Sequence, residues 1–205
     1  MDKKQLIEML RCIAEVMREN KEKLIEMDSL VGDGDLGLTM SDGFFAAYYA
    51  ANESKENDLG KVLYFAGKAM ANKVPSTMGT LMASGWMQAG KMLKGKIEFS
   101  NSDVVLLFES FAQGVMNRGK AKQGEKTFLD GFLPAIEAMR GNSALIQLAQ
   151  SGLQGAIKGF ESTATMIAVH GRAATRGEQS RQLLDPGAMV AVLMMEGFLR
   201  SVEGY

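Results

Sequence analysis

Helical periodicity runs through most of the chain and is the feature that most limits its fold. Between residues 3 and 26 apolar side chains recur every three or four positions, as on one face of an amphipathic helix. They are Leu6, Ile7, Leu10, Ile13, Ala14, Met17, Leu24 and Ile25. The segment DVVLLFESF (103–111) resembles a strand in isolation, but it continues with a helical period into AQGVMNRGK, and Ser102 or Asp103 can cap its start. The pattern predicts an all-α fold.

Eight helices are predicted between segments rich in glycine, proline and asparagine. Their ranges are 3–26, 37–52, 58–73, 79–94, 102–119, 127–139, 143–170 and 186–203. No connection is long or biased enough to be an interdomain linker, and 205 residues suit one domain. Many helices joined by short loops favour an antiparallel bundle that occupies residues 1–205.

Composition excludes several classes of protein. A net charge of −1 supplies no basic field for nucleic acid or for an anionic membrane. No apolar run reaches the ~18 residues of a membrane span, and the N-terminus lacks the apolar core of a signal peptide. The single cysteine, Cys12, is interpreted as a small buried apolar residue in a reducing compartment. We therefore expect a cytoplasmic protein without nucleic-acid or membrane partners.

An acidic, glycine-rich segment is the strongest candidate for chemistry. MDSLVGDGDLGLTM (27–40) contains Asp28, Asp33 and Asp35 together with three glycines. Carboxylate oxygens suit Mg²⁺, although the spacing is not that of an EF-hand. The alternative is that the carboxylates cap the helix that begins near residue 37, where they would also suit the helix dipole.

Three other polar segments are weaker candidates. GVMNRGKA (114–121) has P-loop spacing, but Ala121 replaces the Mg²⁺-binding hydroxyl residue and a helix precedes it, so we reject a P-loop. KQGEKTFLDGF (122–132) begins a helix that could hold an anion, or Thr127 or Glu125 simply caps it. The long loop within 170–188 contains arginines suited to phosphate; His170 is interpreted as a helix C-terminal residue.

Four segments together resemble a known family. GDGDLGLTM, RGKAKQGEKTFLDGFLPA, GRAATRGEQS and DPGA occur in the order and spacing of the nucleotide-binding L subunit of dihydroxyacetone kinases. The resemblance implies a barrel-like bundle of eight antiparallel α-helices with ADP or ATP bound in the loops at one end. It implies two Mg²⁺ ions held by Asp28, Asp33 and Asp35. The implied nucleotide contacts are Leu36, Gly37, Leu38, Thr39, Thr77, Met78, Gly119, Phe128, Arg172, Asp185, Pro186 and Gly187.

The resemblance also implies partners. A separate K subunit would hold dihydroxyacetone, and an M-type phosphohistidine protein of the phosphotransferase system would rephosphorylate the bound ADP. No side chain of this chain would act as a catalytic nucleophile. Two alternatives remain: a kinase subunit that exchanges ATP at each turnover, and a non-catalytic, nucleotide-loaded regulator of another protein. The oligomeric state is open, a homodimer included.

Some residues depart from the family's pattern. Leu36 stands where the family commonly has histidine, and PSTMGT (75–80) replaces a Gly-Gly-Ala-Ser-Gly-Pro stretch. Glu125 and Gln179 stand where aspartate and arginine are usual. These departures affect the implied nucleotide contacts of Thr77 and Met78 and the acceptor sugar, for which the alternatives are dihydroxyacetone and a related short keto-sugar.

Overall fold

A computed structural model describes residues 1–204, which form nine α-helices, two 3₁₀ segments and no strand. The helices are α1 (Lys3–Glu19), α2 (Lys21–Val31), α3 (Leu36–Asn52), α4 (Leu59–Lys73), α5 (Thr77–Met92), α6 (Asn101–Gly119), α7 (Phe128–Met139), α8 (Leu145–Ser162) and α9 (Pro186–Glu203). The 3₁₀ segments are Thr163–Thr165 and Arg172–Ser180. The prediction of an all-α bundle is confirmed.

The first predicted helix is two helices, so the count of eight was one too low. α1 ends at Glu19, and Asn20 separates it from α2. Both the backbone N–H and the side-chain amide of Asn20 donate to the carbonyl of Val16, at 3.1 and 3.0 Å. A side chain that competes for a backbone carbonyl in this way interrupts a helix, although the apolar stripe continues past it.

The predicted helix over 143–170 was too long, because α8 ends at Ser162. The hydroxyls of Ser162 and Thr163 donate to the carbonyls of Gly159 and Phe160, each at 2.6 Å. From there to Asp185 the chain contains only the two 3₁₀ segments and turns. His170 consequently lies in this connection and does not end a helix, which corrects the sequence interpretation.

The start of α6 also differs from the prediction. Ser100, and neither Ser102 nor Asp103, is its N-cap residue. Asp103 completes a capping box, because its carboxylate accepts from the N–H of Ser100 at 3.0 Å. The remaining helices begin and end within two residues of their predicted limits.

The helices close into a ring around an apolar core. α1 packs on α3, α3 on α4, α4 on α5 and α5 on α6, while α7, α8 and α9 pack together and α9 returns to α1. The core between them is rich in aromatic rings that meet edge to face or at a tilt, as ring quadrupoles favour. Buried examples are Phe44, Trp86, Phe108, Phe111 and Phe132. Within residues 1–204, no helix has the length and hydropathy needed to cross a bilayer.

Candidate functional site

The polar segments singled out in the sequence meet at one end of the bundle. They line a cleft of about 910 Å³, a size typical of small-molecule sites. Its walls come from residues within 28–36, 75–81, 115–129, 170–173 and 185–187. Segments remote in sequence therefore form one continuous surface.

Four helices begin at this cleft. The first residues of α3, α5, α7 and α9 (Leu36, Thr77, Phe128 and Pro186) all line it. The first turn of a helix carries backbone N–H groups without helical partners and the positive end of the helix dipole. Four such ends around one cavity favour a polyanionic ligand such as a phosphate chain.

The three aspartates face one another beside these helix ends. One carboxylate oxygen from each of Asp28, Asp33 and Asp35 lies within 4.8 Å of the other two. Asp28 is half-buried in the last turn of α2, and Asp33 and Asp35 are exposed in the turn that follows. Gly34 adopts a φ of +75° in that turn, a conformation that glycine accepts without strain. Three hard oxygen donors at this separation fit Mg²⁺.

Electrostatics at the cluster favour a cation. Burial raises the pKa of Asp28, and the neighbouring charges of Asp33 and Asp35 raise it further. The N–H of Leu36, 3.3 Å from Asp28 Oδ2, acts in the opposite direction on this pKa. Crowded carboxylates are disfavoured as anions until a positive charge joins them.

The alternative explanation, that these aspartates cap α3, holds only for Asp28, whose Oδ2 accepts from the N–H of Leu36, the first residue of α3. Asp35 occupies the N-cap position, but its side chain accepts no hydrogen bond from the first turn of the helix. The carboxylate of Asp33 instead pairs with Arg172, with Oδ2 and Nη2 2.6 Å apart. The long loop thereby brings an arginine onto the acidic cluster.

The start of α7 is a cap with further ties to the loop. Thr127 is the N-cap residue, and Asp130 completes a capping box by accepting from the N–H of Thr127 at 2.7 Å. Asp130 also accepts from the N–H of Gly124 at 2.5 Å. Glu125 lies 2.6 Å from Nε2 of His170, a contact that lowers the pKa of Glu125. The plain-cap alternative therefore holds for Thr127, while Glu125 pairs with the loop.

Asp185 has a structural role at the start of α9. Its Oδ2 accepts from the N–H of Ala188 at 2.7 Å, and its own N–H donates to Thr163 Oγ1 at 3.0 Å. Burial raises the pKa of Asp185 to about 7, and the charge of Asp130 contributes. The N–H of Ala188 and the charge of Lys126 oppose this rise.

Most of the predicted nucleotide contacts line the cleft. They are Leu36, Thr77, Met78, Gly119, Phe128, Arg172, Asp185, Pro186 and Gly187. Gly37, Leu38 and Thr39 do not. Gly37 packs on α2, Leu38 is half exposed to solvent, and Thr39 is buried in the bundle. Successive residues of a helix point in different directions, so only the first residue of α3 faces the cavity.

Lys126 also lines the cleft, and sequence reasoning gave it no role. It is 3% exposed and has a φ of +61°, which is uncommon for a residue with a side chain. Burial lowers its pKa, whereas the nearby charge of Asp185 raises it. Lys126 lies within the family segment RGKAKQGEKTFLDGFLPA, but its burial is not visible in the sequence.

Comparison with known proteins identifies a matching family and similar chains. The model of the DAK2 domain family matches residues 30–200. The ADP-binding subunit of PEP-dependent dihydroxyacetone kinase 1 from Listeria innocua is 29% identical, over 98% of this chain and 97% of that protein. The ADP-binding subunit of the PTS-dependent dihydroxyacetone kinase of Lactococcus lactis is 28% identical, over 96% of each chain.

A solved structure shares the fold. The dihydroxyacetone kinase from C. freundii, crystallised with AMP-PNP and Mg²⁺, superposes with a TM-score of 0.74 at 20% identity. The match covers 96% of this chain and 33% of that one. The chain thus corresponds in fold to about one third of that kinase.

Proposed function

The chain belongs to the DAK2 domain family, and on that premise we propose that it is the Mg²⁺- and ADP/ATP-binding subunit of a dihydroxyacetone-type kinase. Residues 1–205 would form one nucleotide-binding domain of the L type. The relatives of nearly equal length, both named as ADP-binding subunits, support this proposal. The observation that carries it is the meeting of three carboxylates and four helix N-termini at one cleft.

The acidic cluster would hold the metal. Asp28, Asp33 and Asp35 provide the oxygen ligands for two Mg²⁺ ions, which when bound neutralise phosphate charge. The helix ends at Leu36, Thr77, Phe128 and Pro186 would direct the positive ends of their dipoles to the phosphates. Gly37, Leu38 and Thr39 do not line the cleft, so they would act on the nucleotide only through the backbone and the dipole of the first turn of α3.

The remaining contacts would orient the nucleotide. Met78, Gly119 and Gly187 would supply apolar and backbone surface along the cleft, which Asp185 and Pro186 also line at the start of α9. Arg172 supplies a positive charge from the loop. Positioning and charge neutralisation are the main requirements of phosphoryl transfer, so no nucleophilic side chain is needed here.

The phosphoryl group would pass through this subunit between two partners. An M-type phosphohistidine protein of the phosphotransferase system would phosphorylate bound ADP, and a K subunit would present dihydroxyacetone, or a related short keto-sugar, to the product. The names PEP-dependent and PTS-dependent on the relatives support this donor. The subunit would act in the cytoplasm together with those partners, as a monomer or as a homodimer.

The test is the nucleotide content and Mg²⁺-dependent nucleotide affinity of the purified protein. We expect near-stoichiometric ADP to be released on denaturation, and Asp33→Asn to lose it. Asp42→Asn is the matched control, because Asp42 is an exposed aspartate of α3 outside the cleft, paired with Lys73. A nucleotide-free protein that binds Mg-ATP reversibly would identify the exchanging kinase. No nucleotide binding at any Mg²⁺ concentration would overturn the proposal, together with the nucleotide-loaded regulator, and leave an interaction module without nucleotide.

A further inference from the structure

Lys126 is a buried cation whose hydrogen bonds all go to backbone carbonyls of the long loop. Its Nζ donates to the carbonyl of Met166 at 3.1 Å, of Ser180 at 2.7 Å and of Leu183 at 2.6 Å. An ammonium group has three N–H donors and no acceptor, so these three bonds use its whole capacity. The lysine is thus saturated by a site made of main-chain oxygens.

The three carbonyls lie in the two end parts of the segment 163–185, here called its flanks. Met166 lies in the first flank, and Ser180 and Leu183 lie in the second. Other bonds join the same flanks: Ala168 N–H donates to Ser180 Oγ at 3.0 Å, and Gln182 N–H to the carbonyl of Ala164 at 2.8 Å. The chain between the flanks carries Arg172 to Asp33. Lys126 therefore lies at the base of a closed loop whose tip reaches the acidic cluster.

A lysine that lines a cleft proposed to hold phosphates suggests a direct contact between its ammonium group and phosphate, but the geometry disfavours that contact. Each N–H that turned toward a ligand would leave a carbonyl of the loop without its partner. Removing one partner of a buried hydrogen bond costs more than the net value of the bond, especially when the donor is charged. Lys126 has a positive φ, a strained conformation for a residue with a side chain, so the surrounding contacts must hold it in place.

We propose that Lys126 is a positioning residue, which clasps the two flanks of 163–185 so that Arg172 and the start of α9 face the cleft, and that it is not itself a nucleotide ligand. The part that concerns the nucleotide rests on the proposed function. The clasp itself concerns only this chain. The segment 163–185 is largely tied to itself through bonds such as Ala168 to Ser180 and Gln182 to Ala164, so loss of the clasp should open it locally, at lower cost than unfolding the bundle.

The first test needs no ligand. Hydrogen–deuterium exchange is compared between the native chain, Lys126→Met, Lys126→Arg and the control Lys158→Met, which removes an exposed lysine of α8. In Lys126→Met, the amides of Ala168 and Gln182 should exchange faster by about tenfold or more, the scale expected from lost charged hydrogen bonds. Helices α4 to α6 should keep native protection. Lys126→Arg, which retains charge and donors, should recover part of the loop's protection.

Native exchange of these amides in Lys126→Met would overturn the clasp. Uniformly faster exchange throughout the bundle would also overturn it, because Lys126 would then be a general stability residue. Neither result depends on whether a nucleotide binds, so failure of the clasp is distinguishable from failure of the proposed function.

The second test separates positioning from direct contact. Mg-ADP affinity is measured for Lys126→Met, Arg172→Ala and the double variant, with Lys158→Met again as control. If Lys126 acts by presenting Arg172, the double variant should bind Mg-ADP at most about twofold more weakly than the weaker of the two single variants. The reason is that the effects of coupled residues are not additive. Fully additive losses would overturn the proposal and make Lys126 a phosphate ligand.

Discussion

The guanidinium of Arg172 lies 2.6 Å from Oδ2 of Asp33, so the long loop and the acidic cluster are joined by an ion pair across the mouth of the cleft. Both side chains are substantially exposed, at 68% and 41%. Exposed pairs of this kind contribute little to the stability of a fold. The pair is more consequential for binding, because it occupies one carboxylate of the candidate metal site.

Arg172→Ala should have opposite effects on metal and on nucleotide. Without nucleotide, Mn²⁺ used in place of Mg²⁺ should bind about two- to fivefold more tightly, because the exposed pair that it displaces is worth at most about 1 kcal/mol. The affinity for Mg-ADP should fall, because a positive charge near the phosphates is lost. Electron paramagnetic resonance of Mn²⁺ and calorimetry with Mg-ADP measure the two effects.

Arg176→Ala is the matched control for that prediction. Arg176 is an exposed arginine of the same 3₁₀ segment and lies outside the residues that line the cleft. Arg176→Ala removes the same positive charge as Arg172→Ala, so any effect of net charge alone on binding should appear equally in both variants. Weaker Mn²⁺ binding in Arg172→Ala alone would mean that Arg172 organises the cluster and does not compete with the cation.

Asp185 should make the unfolding free energy depend on pH. Its pKa is about 7 in the folded chain and 3.8 for an ordinary aspartate. The folded state therefore binds more protons between these values, and this group's contribution is complete below pH ~4 and is lost as the pH rises through ~7. The full shift corresponds to on the order of 4 kcal/mol. Urea unfolding of nucleotide-free protein between pH 4.5 and 8 measures the slope.

Asp185→Asn should flatten that slope while keeping the cap, because an asparagine oxygen can still accept from Ala188. Asp58→Asn is the control, because it removes the charge of another N-cap aspartate. Asp58 accepts from the N–H of Lys61 at 3.1 Å, at the more exposed start of α4. If Asp185→Asn and the native chain keep the same pH dependence, the carboxyl group of Asp185 is not the source of the slope.

Gly37→Ala should destabilise the bundle and loosen the metal site together. An added Cβ would lie 2.8 Å from Ile25 Cγ1 and would also meet the carbonyl oxygen of Lys21. Overpacking of this kind costs about 1–3 kcal/mol. Relief requires α3 to move away from α2, which would separate Asp35 from Asp28. Urea unfolding and Mn²⁺ titration should therefore both show a loss.

Gly119→Ala is the stability control for Gly37→Ala. A Cβ at Gly119 would approach only the flexible end of Leu81, with Cδ2 at 2.9 Å. Alanine is the better helix former, so the unfolding free energy should be unchanged or higher. Equal stability losses in both variants would show that crowding against α2 is not the cause.

Sequence reasoning succeeded where the information was local. The apolar period identified every helix of the fold except the division at Asn20, where the stripe runs on across α1 and α2. It also overextended α8, because TATMIAVH continues a helical pattern while hydroxyl groups at Ser162 and Thr163 end the helix. Both errors come from side-chain hydrogen bonds to the backbone, one at Asn20 and two at the end of α8, which a periodic pattern does not register.

The sequence by itself determined the helices, the acidic turn and the segments that supply the cleft, because periodicity, glycine spacing and turn chemistry act over a few residues. Only the tertiary structure decided that α3, α5, α7 and α9 all begin at one cavity, that Arg172 reaches Asp33, and that Lys126 closes the loop. Those relationships join residues far apart in the chain. They exist because the ring of helices buries one common core, and no local pattern encodes that arrangement.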